Sequence, residues 1–83
     1  MKHVASPRFW RHYRSLPDAV RNLANKNFEL LKADPHHPSL HLKKVGELWS
    51  VRVGAHNRAL GRDAGNAIVW FWIGSHADYD KLV

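Results

Sequence analysis

Residues Trp49 to Tyr79, WSVRVGAHNRALGRDAGNAIVWFWIGSHADY, decide the fold. The stretch contains two short runs in which apolar and polar residues alternate, followed by one run that is almost wholly apolar. Gly/Asn/Asp turns separate the three runs. Strands bounded by such turns pair into an antiparallel sheet. The stretch therefore predicts the sheet of this protein.

The three runs predict strands with different surroundings. In WSVRV (49–53) the apolar residues share one face, and Arg52 points to the other. Residues 58–62 return as the second strand, with an arginine at each end. The run AIVWFWI (67–73) is apolar on both faces, which is typical of a central strand covered on both sides. Its consecutive aromatics, 70–72, are therefore interpreted as core residues and not as a platform for stacking.

Two helices are predicted before the sheet. Ser6-Pro7 combines an N-cap residue with proline at the first helical position, and a helix of about two turns follows. A longer helix starts at Pro17, because apolar residues recur from Leu16 to Leu31 at steps of three and four. It ends at Asp34-Pro35, and the pair is expected to form a helical hairpin whose apolar stripe covers the sheet.

The flanks of the deciding stretch add two further elements. LHLKKV (40–45) alternates as a strand does, and it places Lys43 and Lys44 on opposite faces. At the other end, Ser75 and Asp78 have the spacing of a capping box and predict a short terminal helical turn. Residues 2–5 are a weak candidate for an edge strand.

Together these elements predict a single α+β domain over residues 1–83. Two N-terminal helices would pack on a small antiparallel sheet of three to four strands, and a short helical turn would follow. A chain of 83 residues buries a modest core, to which four Trp, three Phe and two Tyr contribute large apolar areas.

Composition limits the classes of function. Thirteen Lys/Arg against seven Asp/Glu give a net charge of +6, which favours a polyanion or an acidic protein as partner. The absence of cysteine excludes disulfides and thiolate metal sites. No run reaches the roughly 20 apolar residues that span a bilayer, and no signal-peptide core is recognised, so we expect a cytoplasmic protein without membrane contact.

Three segments of the chain resemble one known family. They are DPHHPSLHLKKV (34–45), WSVRVG (49–54) followed by an Arg-Ala-Leu strand, and WFWIGSHADYDKLV (70–83). Together with the helix pair, they resemble the RelE/ParE superfamily of type II toxin–antitoxin toxins, in its RelE-like branch. The resemblance implies a RelE-like fold and a small basic toxin that binds a cognate antitoxin. In RelE-like members the toxin cuts mRNA on the ribosome, without a metal or other cofactor.

The resemblance also implies a set of site residues. Two strand arginines of the family correspond to Arg52 and Arg58, and the C-terminal cluster of its ribonucleases corresponds to His76 and Tyr79. In such a site the guanidinium groups hold the scissile phosphate and His76 transfers a proton, with Tyr79 assisting or stacking on a base. Further contacts with the nucleic acid are assigned as follows: Lys43, Lys44 and Arg62.

Each of these residues also has a purely structural interpretation. Arg58 would form a salt bridge with Asp63, Asp78 or Asp80, His76 would pack beside Trp72, and Tyr79 would cover the edge of the core.

Glu47 and the histidines of the chain allow further interpretations. Glu47 is a weaker candidate for a general base, since a turn acid is most often solvated. His41 and His56 are reserve acid/base candidates. No metal site is expected from His36, His37 and His41, because no cysteine or recognised ligand spacing accompanies them.

Two other functions stay open at this point. A ParE-like toxin would inhibit DNA gyrase by binding, without cleaving RNA. A degenerate, non-toxic relative would keep only the partner-binding role, and Asn57, where many relatives have tyrosine, departs from the family pattern in that direction.

Overall fold

The computed structural model describes residues 1–83 and is organised around one mixed sheet of five strands. From edge to edge, the strand order is β1-β5-β4-β3-β2. Antiparallel pairings join β2, β3, β4 and β5 in sequence, whereas β1 runs parallel to β5. The strands are β1 (Lys2–Ala5), β2 (Lys43–Val45), β3 (Leu48–Val53), β4 (Asn57–Asp63) and β5 (Ala67–Ser75).

Three helices accompany the sheet at the predicted places: α1 (Pro7–Arg14), α2 (Asp18–Ala33) and α3 (His76–Leu82). Side-chain caps begin α1 and α3, whereas α2 follows Pro17 without one. The Ser6 hydroxyl accepts the Phe9 N–H at 3.2 Å, and the Ser75 hydroxyl accepts the Asp78 N–H at 3.1 Å. Each cap satisfies a backbone donor at the start of its helix. None of the three helices combines the length and apolar character needed to cross a membrane.

The sheet differs from the prediction at both edges. It has five strands where three to four were expected; the candidate edge strand 2–5 is present as β1, and its parallel pairing with β5 makes the sheet mixed instead of purely antiparallel. A four-residue edge strand paired with a segment more than sixty residues away leaves little local signal. At the other edge the predicted strand 40–45 is only Lys43–Val45, because Leu40 ends a 3₁₀ turn and His41 has a left-handed φ of 45°.

The two N-terminal helices pack on different strands of the sheet. α1 contacts β5, whereas α2 contacts β3. A hydrogen bond of 2.8 Å from the Tyr13 hydroxyl to Asn25 Oδ1 links them. Between the helices and the sheet lies an apolar cavity of about 110 Å³. The exposed large hydrophobic residues at its rim are Trp10 and Phe28, 42% and 37% accessible.

The sheet is covered on both faces, as the composition of β5 predicts. The face under α1 and α2 carries the larger core cluster, which includes Trp70 and Ile73. The face under α3 carries a smaller cluster of Leu60, Trp72 and Tyr79. β5 therefore contributes large apolar side chains to two separate cores, which explains why it shows no alternation of apolar and polar residues.

A β-bulge redirects one aromatic side chain of β5. Leu60 pairs with Trp72 and Gly61 with Trp70, so that Phe71 has no partner on β4. Phe71 consequently lies on the α3 face beside Trp72, where it contacts the smaller cluster. Gly61 is required opposite this bulge, because a Cβ there would lie 2.4 Å from Ile68 Cγ2.

His3 holds strand β1 against β5, and the charge of its side chain depends on pH. Trp70 Nε1 donates a hydrogen bond to His3 Nδ1 at 3.2 Å, and the two rings stack with centroids 6.1 Å apart. Burial lowers the pKa of His3 below its ordinary value of 6.5. The neutral ring is therefore the form that the fold stabilises, since a protonated Nδ1 cannot accept the indole N–H.

We expect acidification to destabilise the protein through His3. Between the lowered folded-state pKa and about 6.5, the unfolded chain binds more protons at this residue than the folded chain, so stability falls as pH falls below about 6.5. In the variant His3→Asn, whose amide oxygen can accept the indole N–H without titrating, the drop in Tm between pH 7 and pH 5 should be smaller than in the wild type. Thermal unfolding followed by circular dichroism measures it.

The exposed His36 provides the matched control. His36→Asn should leave the pH dependence of Tm unchanged. Equal drops in Tm for the wild type and both variants would show that His3 does not contribute.

Candidate functional site

Two arginines face each other across the β3–β4 hairpin. The register pairs Arg52 with Arg58 directly, and the turn at Gly54 connects their strands. Directly opposite residues have Cβ atoms about 4.5–5.5 Å apart. Because side chains alternate along β4, Arg58 shares the face of Leu60, which lies under α3. Both arginines are half-buried, so the sheet restricts the volume that their guanidinium groups can occupy.

No carboxylate neutralises this arginine pair. The three expected acids pair elsewhere: Asp63 with Lys44, Asp78 with Lys81, and Asp80 with His76. Arg58 instead donates from Nη1 to the adjacent carbonyl oxygen of Asn57 at 2.8 Å. The predicted alternative, a salt bridge that occupies Arg58, is not formed.

Arg52 has a further unsatisfied group. Its Nε is buried and has no hydrogen-bond partner within the chain. Like charges placed opposite each other destabilise a sheet, and a buried unpaired donor adds to the cost. A bound oxyanion offsets the repulsion between the two arginines, because guanidinium groups bind phosphate or carboxylate with two parallel hydrogen bonds.

His76 lies at the same end of the sheet as the arginine pair. Gly74 of β5 pairs with Arg58, and His76 follows two residues later as the first residue of α3. The His76 N–H donates to the carbonyl oxygen of His56 at 2.8 Å, which ties the start of α3 to the β3–β4 turn. His56, the reserve acid/base candidate, is thereby also brought to this end.

The imidazole of His76 contacts Asp80, which the sequence analysis considered only as a partner of Arg58. His76 Nδ1 lies 3.2 Å from Asp80 Oδ2. A neutral imidazole that donates from Nδ1 to this carboxylate has Nε2 free as a proton acceptor. The available signal was the four-residue spacing in HADYD, which puts both side chains on one helix face.

Tyr79 is close to His76 but is packed into the smaller core. The two ring centroids are 6.0 Å apart, as expected for residues three positions apart on a helix. The ring of Tyr79 is only 7% exposed and packs with Leu60 and Trp72. In this conformation it offers no free face for stacking on a base, which leaves its hydroxyl as the group available for chemistry.

The predicted nucleic-acid-binding residues are distributed over different surfaces. Lys43 pairs with Ser50 on the face of Arg52, and its side chain is exposed. Lys44 lies on the opposite face, 2.8 Å from Asp63, where its hydrogen bond is the largest of the effects that lower the pKa of that carboxyl group. Arg62 is on the α3 face but four residues along β4 from Arg58, or about 13 Å.

Two weaker candidates lie away from the arginine pair. Glu47 is exposed in the β2–β3 turn, at the other end of β3 from Arg52. The histidines of the loop after α2 do not gather with further His, Asp or Glu side chains into a group of three or more.

The overall fold of the chain is similar to several solved toxin structures. A RelE chain from a RelB–RelE complex of Methanococcus jannaschii has 16% identity and a TM-score of 0.73, with 96% of this chain and 99% of that chain covered. A YoeB/ParE toxin from Agrobacterium tumefaciens has 22% identity, a TM-score of 0.64 and coverages of 92% and 99%. The isolated RelE toxin of E. coli has 11% identity, a TM-score of 0.63 and coverages of 98% and 94%.

At these identities the structures show a common fold. The search of curated proteins finds no significant match. The family model of the ParE-like toxin domain, however, matches residues 18–81, which include α2, the sheet from β2 to β5 and most of α3. The chain therefore belongs to the ParE-like toxin domain family, within the RelE/ParE superfamily of toxin–antitoxin toxins.

Proposed function

We propose that this toxin is a metal-independent endoribonuclease that cuts mRNA on the ribosome and thereby inhibits translation. One observation carries the proposal: the half-buried pair Arg52 and Arg58 has no counter-ion and lies at the sheet end where His76 begins α3. A phosphodiester supplies the missing negative charge, and the imidazole of His76 supplies a group that can accept or donate a proton.

The reaction needs no group from outside the chain and the RNA. His76 Nε2 takes the proton of a 2′-hydroxyl, and the 2′-oxygen attacks the adjacent phosphorus. Arg52 and Arg58 stabilise the negative charge that grows on the non-bridging oxygens. The bond to the 5′-oxygen then breaks, and that oxygen receives a proton, for which the Tyr79 hydroxyl is our candidate donor. The products are a 2′,3′-cyclic phosphate and a 5′-hydroxyl end.

Asp80 has a positioning role in this scheme. Because it accepts the Nδ1 proton of His76, it selects the tautomer that presents Nε2 to the substrate. The carboxylate also stabilises the imidazolium that forms when the 2′-hydroxyl is deprotonated. The proposal that cleavage depends on the ribosome is supported by the relationship to RelE-like toxins and not by the geometry of the site.

An antitoxin is the proposed protein partner. RelE chains of Methanococcus jannaschii, Pyrococcus horikoshii and Mycobacterium tuberculosis were crystallised with RelB antitoxins. The net charge of +6 favours an acidic segment, which would screen the arginine pair. The apolar cavity between α1 and α2, with Trp10 and Phe28 at its rim, would take the apolar face of such a segment.

The match to the ParE-like model favours one alternative, a toxin that inhibits DNA gyrase by binding. A binding toxin has no need of an oriented imidazole or of an arginine pair around a phosphate. Supercoiling inhibition by the purified protein, retained after His76 is replaced, would support this alternative.

Lys43 and Lys44 offer a matched pair for testing which face RNA approaches. Lys43→Gln should weaken binding to single-stranded RNA and lower the slope of log K against log salt by about one. Lys44→Gln makes the same charge change on the face where Asp63 already neutralises the lysine, so its effect should be small. Fluorescence anisotropy over a range of salt concentrations measures both.

Equal losses for the two lysine variants would mean that only overall charge matters. A larger loss for Lys44→Gln would place the RNA on the opposite face and contradict the proposed site.

The cleavage chemistry is tested by inducing the toxin in cells and mapping message ends. Arg58→Ala should reduce cleavage by about 10²–10³-fold, because one stabiliser of the phosphoryl charge is lost. His76→Ala should reduce it by about 10²–10⁴-fold, because proton transfer is lost. Arg58→Lys keeps the charge without the planar fork and should retain partial activity.

Arg11→Gln, an exposed charge change on α1, is the control and should leave cleavage intact. Circular dichroism and capture by the antitoxin report whether each variant folds. Growth arrest with intact messages in the wild type, or full cleavage by folded His76→Ala, would overturn the proposal.

A further inference from the structure

A second cationic surface surrounds Phe71, and both the sheet and α1 contribute to it. Two guanidinium groups flank the ring of Phe71: Arg8 Cζ is 5.4 Å and Arg62 Cζ is 5.9 Å from the ring centroid. Three separate elements supply these residues, α1, β4 and β5. We name the three residues the Arg8–Phe71–Arg62 patch.

The bulge in β5 is what creates this patch. Without it, regular alternation would direct the side chain after Trp70 and the side chain of Trp72 to opposite faces. With it, Phe71 and Trp72 both reach the α3 face. Trp70 and Trp72 are buried core residues as expected, but Phe71 is half-exposed, which differs from the expectation that all three aromatics are core. Bulges that redirect a side chain in this way are common beside functional sites.

Neither arginine of the patch has an acidic partner. All five ion pairs of the structure involve other cations, and both Arg8 and Arg62 are exposed. Exposed cation–π contacts contribute little to stability, so the fold does not require two arginines around one ring. Two unpaired cations beside a half-exposed aromatic ring are instead the combination that binds unpaired nucleotides.

We propose that the Arg8–Phe71–Arg62 patch binds one unpaired nucleotide of an RNA strand, outside the cleavage site. The base stacks against Phe71 or a guanidinium plane, and the arginines contact the flanking phosphates. This inference rests on the proposed function, because it assumes that the strand held by Arg58 continues along β4 toward Arg62. The roughly 13 Å between these positions separates the two contacts.

The ring of Phe71 favours RNA over an acidic peptide as the ligand of this patch. Carboxylates would use the two arginines but would gain nothing from Phe71, whereas every nucleobase has a face that stacks on an aromatic side chain. The two partners therefore predict different effects when only the ring is removed.

The test is binding of a labelled single-stranded RNA to the full chain at low salt, in the His76→Ala background so that the RNA is not cut. Replacing Phe71 by Leu should weaken binding by about 5–100-fold, and replacing it by Tyr should preserve binding. Arg8→Gln and Arg62→Gln should each lower the salt slope by about one. Arg11→Gln makes the same charge change on α1 outside the patch and should have a smaller effect.

A set of RNAs with one abasic position each identifies stacking directly. The wild-type ring should discriminate against at least one abasic RNA, and Phe71→Leu should abolish that discrimination. Unchanged affinity in folded Phe71→Leu, or no penalty at any abasic position, would overturn the proposal. The proposal would also be overturned if Arg8→Gln and Arg62→Gln both weakened binding of an acidic peptide and left RNA binding unchanged.

Failure of this inference is distinguishable from failure of the nuclease proposal. If the toxin does not cut RNA, message ends stay intact while Phe71→Leu still weakens RNA binding. If it cuts RNA without using the patch, cleavage depends on Arg58 and His76, and Phe71→Leu binds as the parent protein does.

Discussion

The antiparallel register between β3 and β4 is the constraint on which the site depends. It places Arg52 directly opposite Arg58, and the next pairing, of Arg58 with Gly74, fixes where β5 ends and α3 begins. A slip of one residue in either strand would send its arginine to the face occupied by the larger core. The apolar residues that hold the register, such as Val51 and Ala59, therefore also determine where positive charge accumulates.

The distribution of positive charge depends on which cations the acidic residues pair with, as well as on where the cations lie. Five of the seven Asp/Glu residues pair with cations outside the arginine pair and the patch around Phe71. Lys44 illustrates the difference, because Asp63 neutralises it on the face turned away from Arg52. The cations without an acidic partner on the α3 face of the sheet are Lys43, Arg52, Arg58 and Arg62.

Much of this arrangement follows from local patterns. The alternation in WSVRV and the return strand predicts that Arg52 and Arg58 leave the core, and the capping residue Ser75 places His76 at a helix start. Non-local features escaped prediction. Residues 2–5 are a candidate edge strand from the sequence, but their parallel pairing with β5, more than sixty residues away, is not predicted. The bulge at Phe71 likewise depends on the absence of a side chain at Gly61, one strand away. Alternation separates Lys43 from Lys44 but does not say which face the helices cover.

The edges of the sheet have a consequence for contacts between copies of the chain. β2 has three residues, two of them lysines, and β1 has four, while α1 covers the rest of β5. Short, lysine-bearing edges offer few free backbone groups to an approaching strand. The two edges of the sheet are therefore poorly suited to extend into a continuous β-structure that joins several copies of the chain.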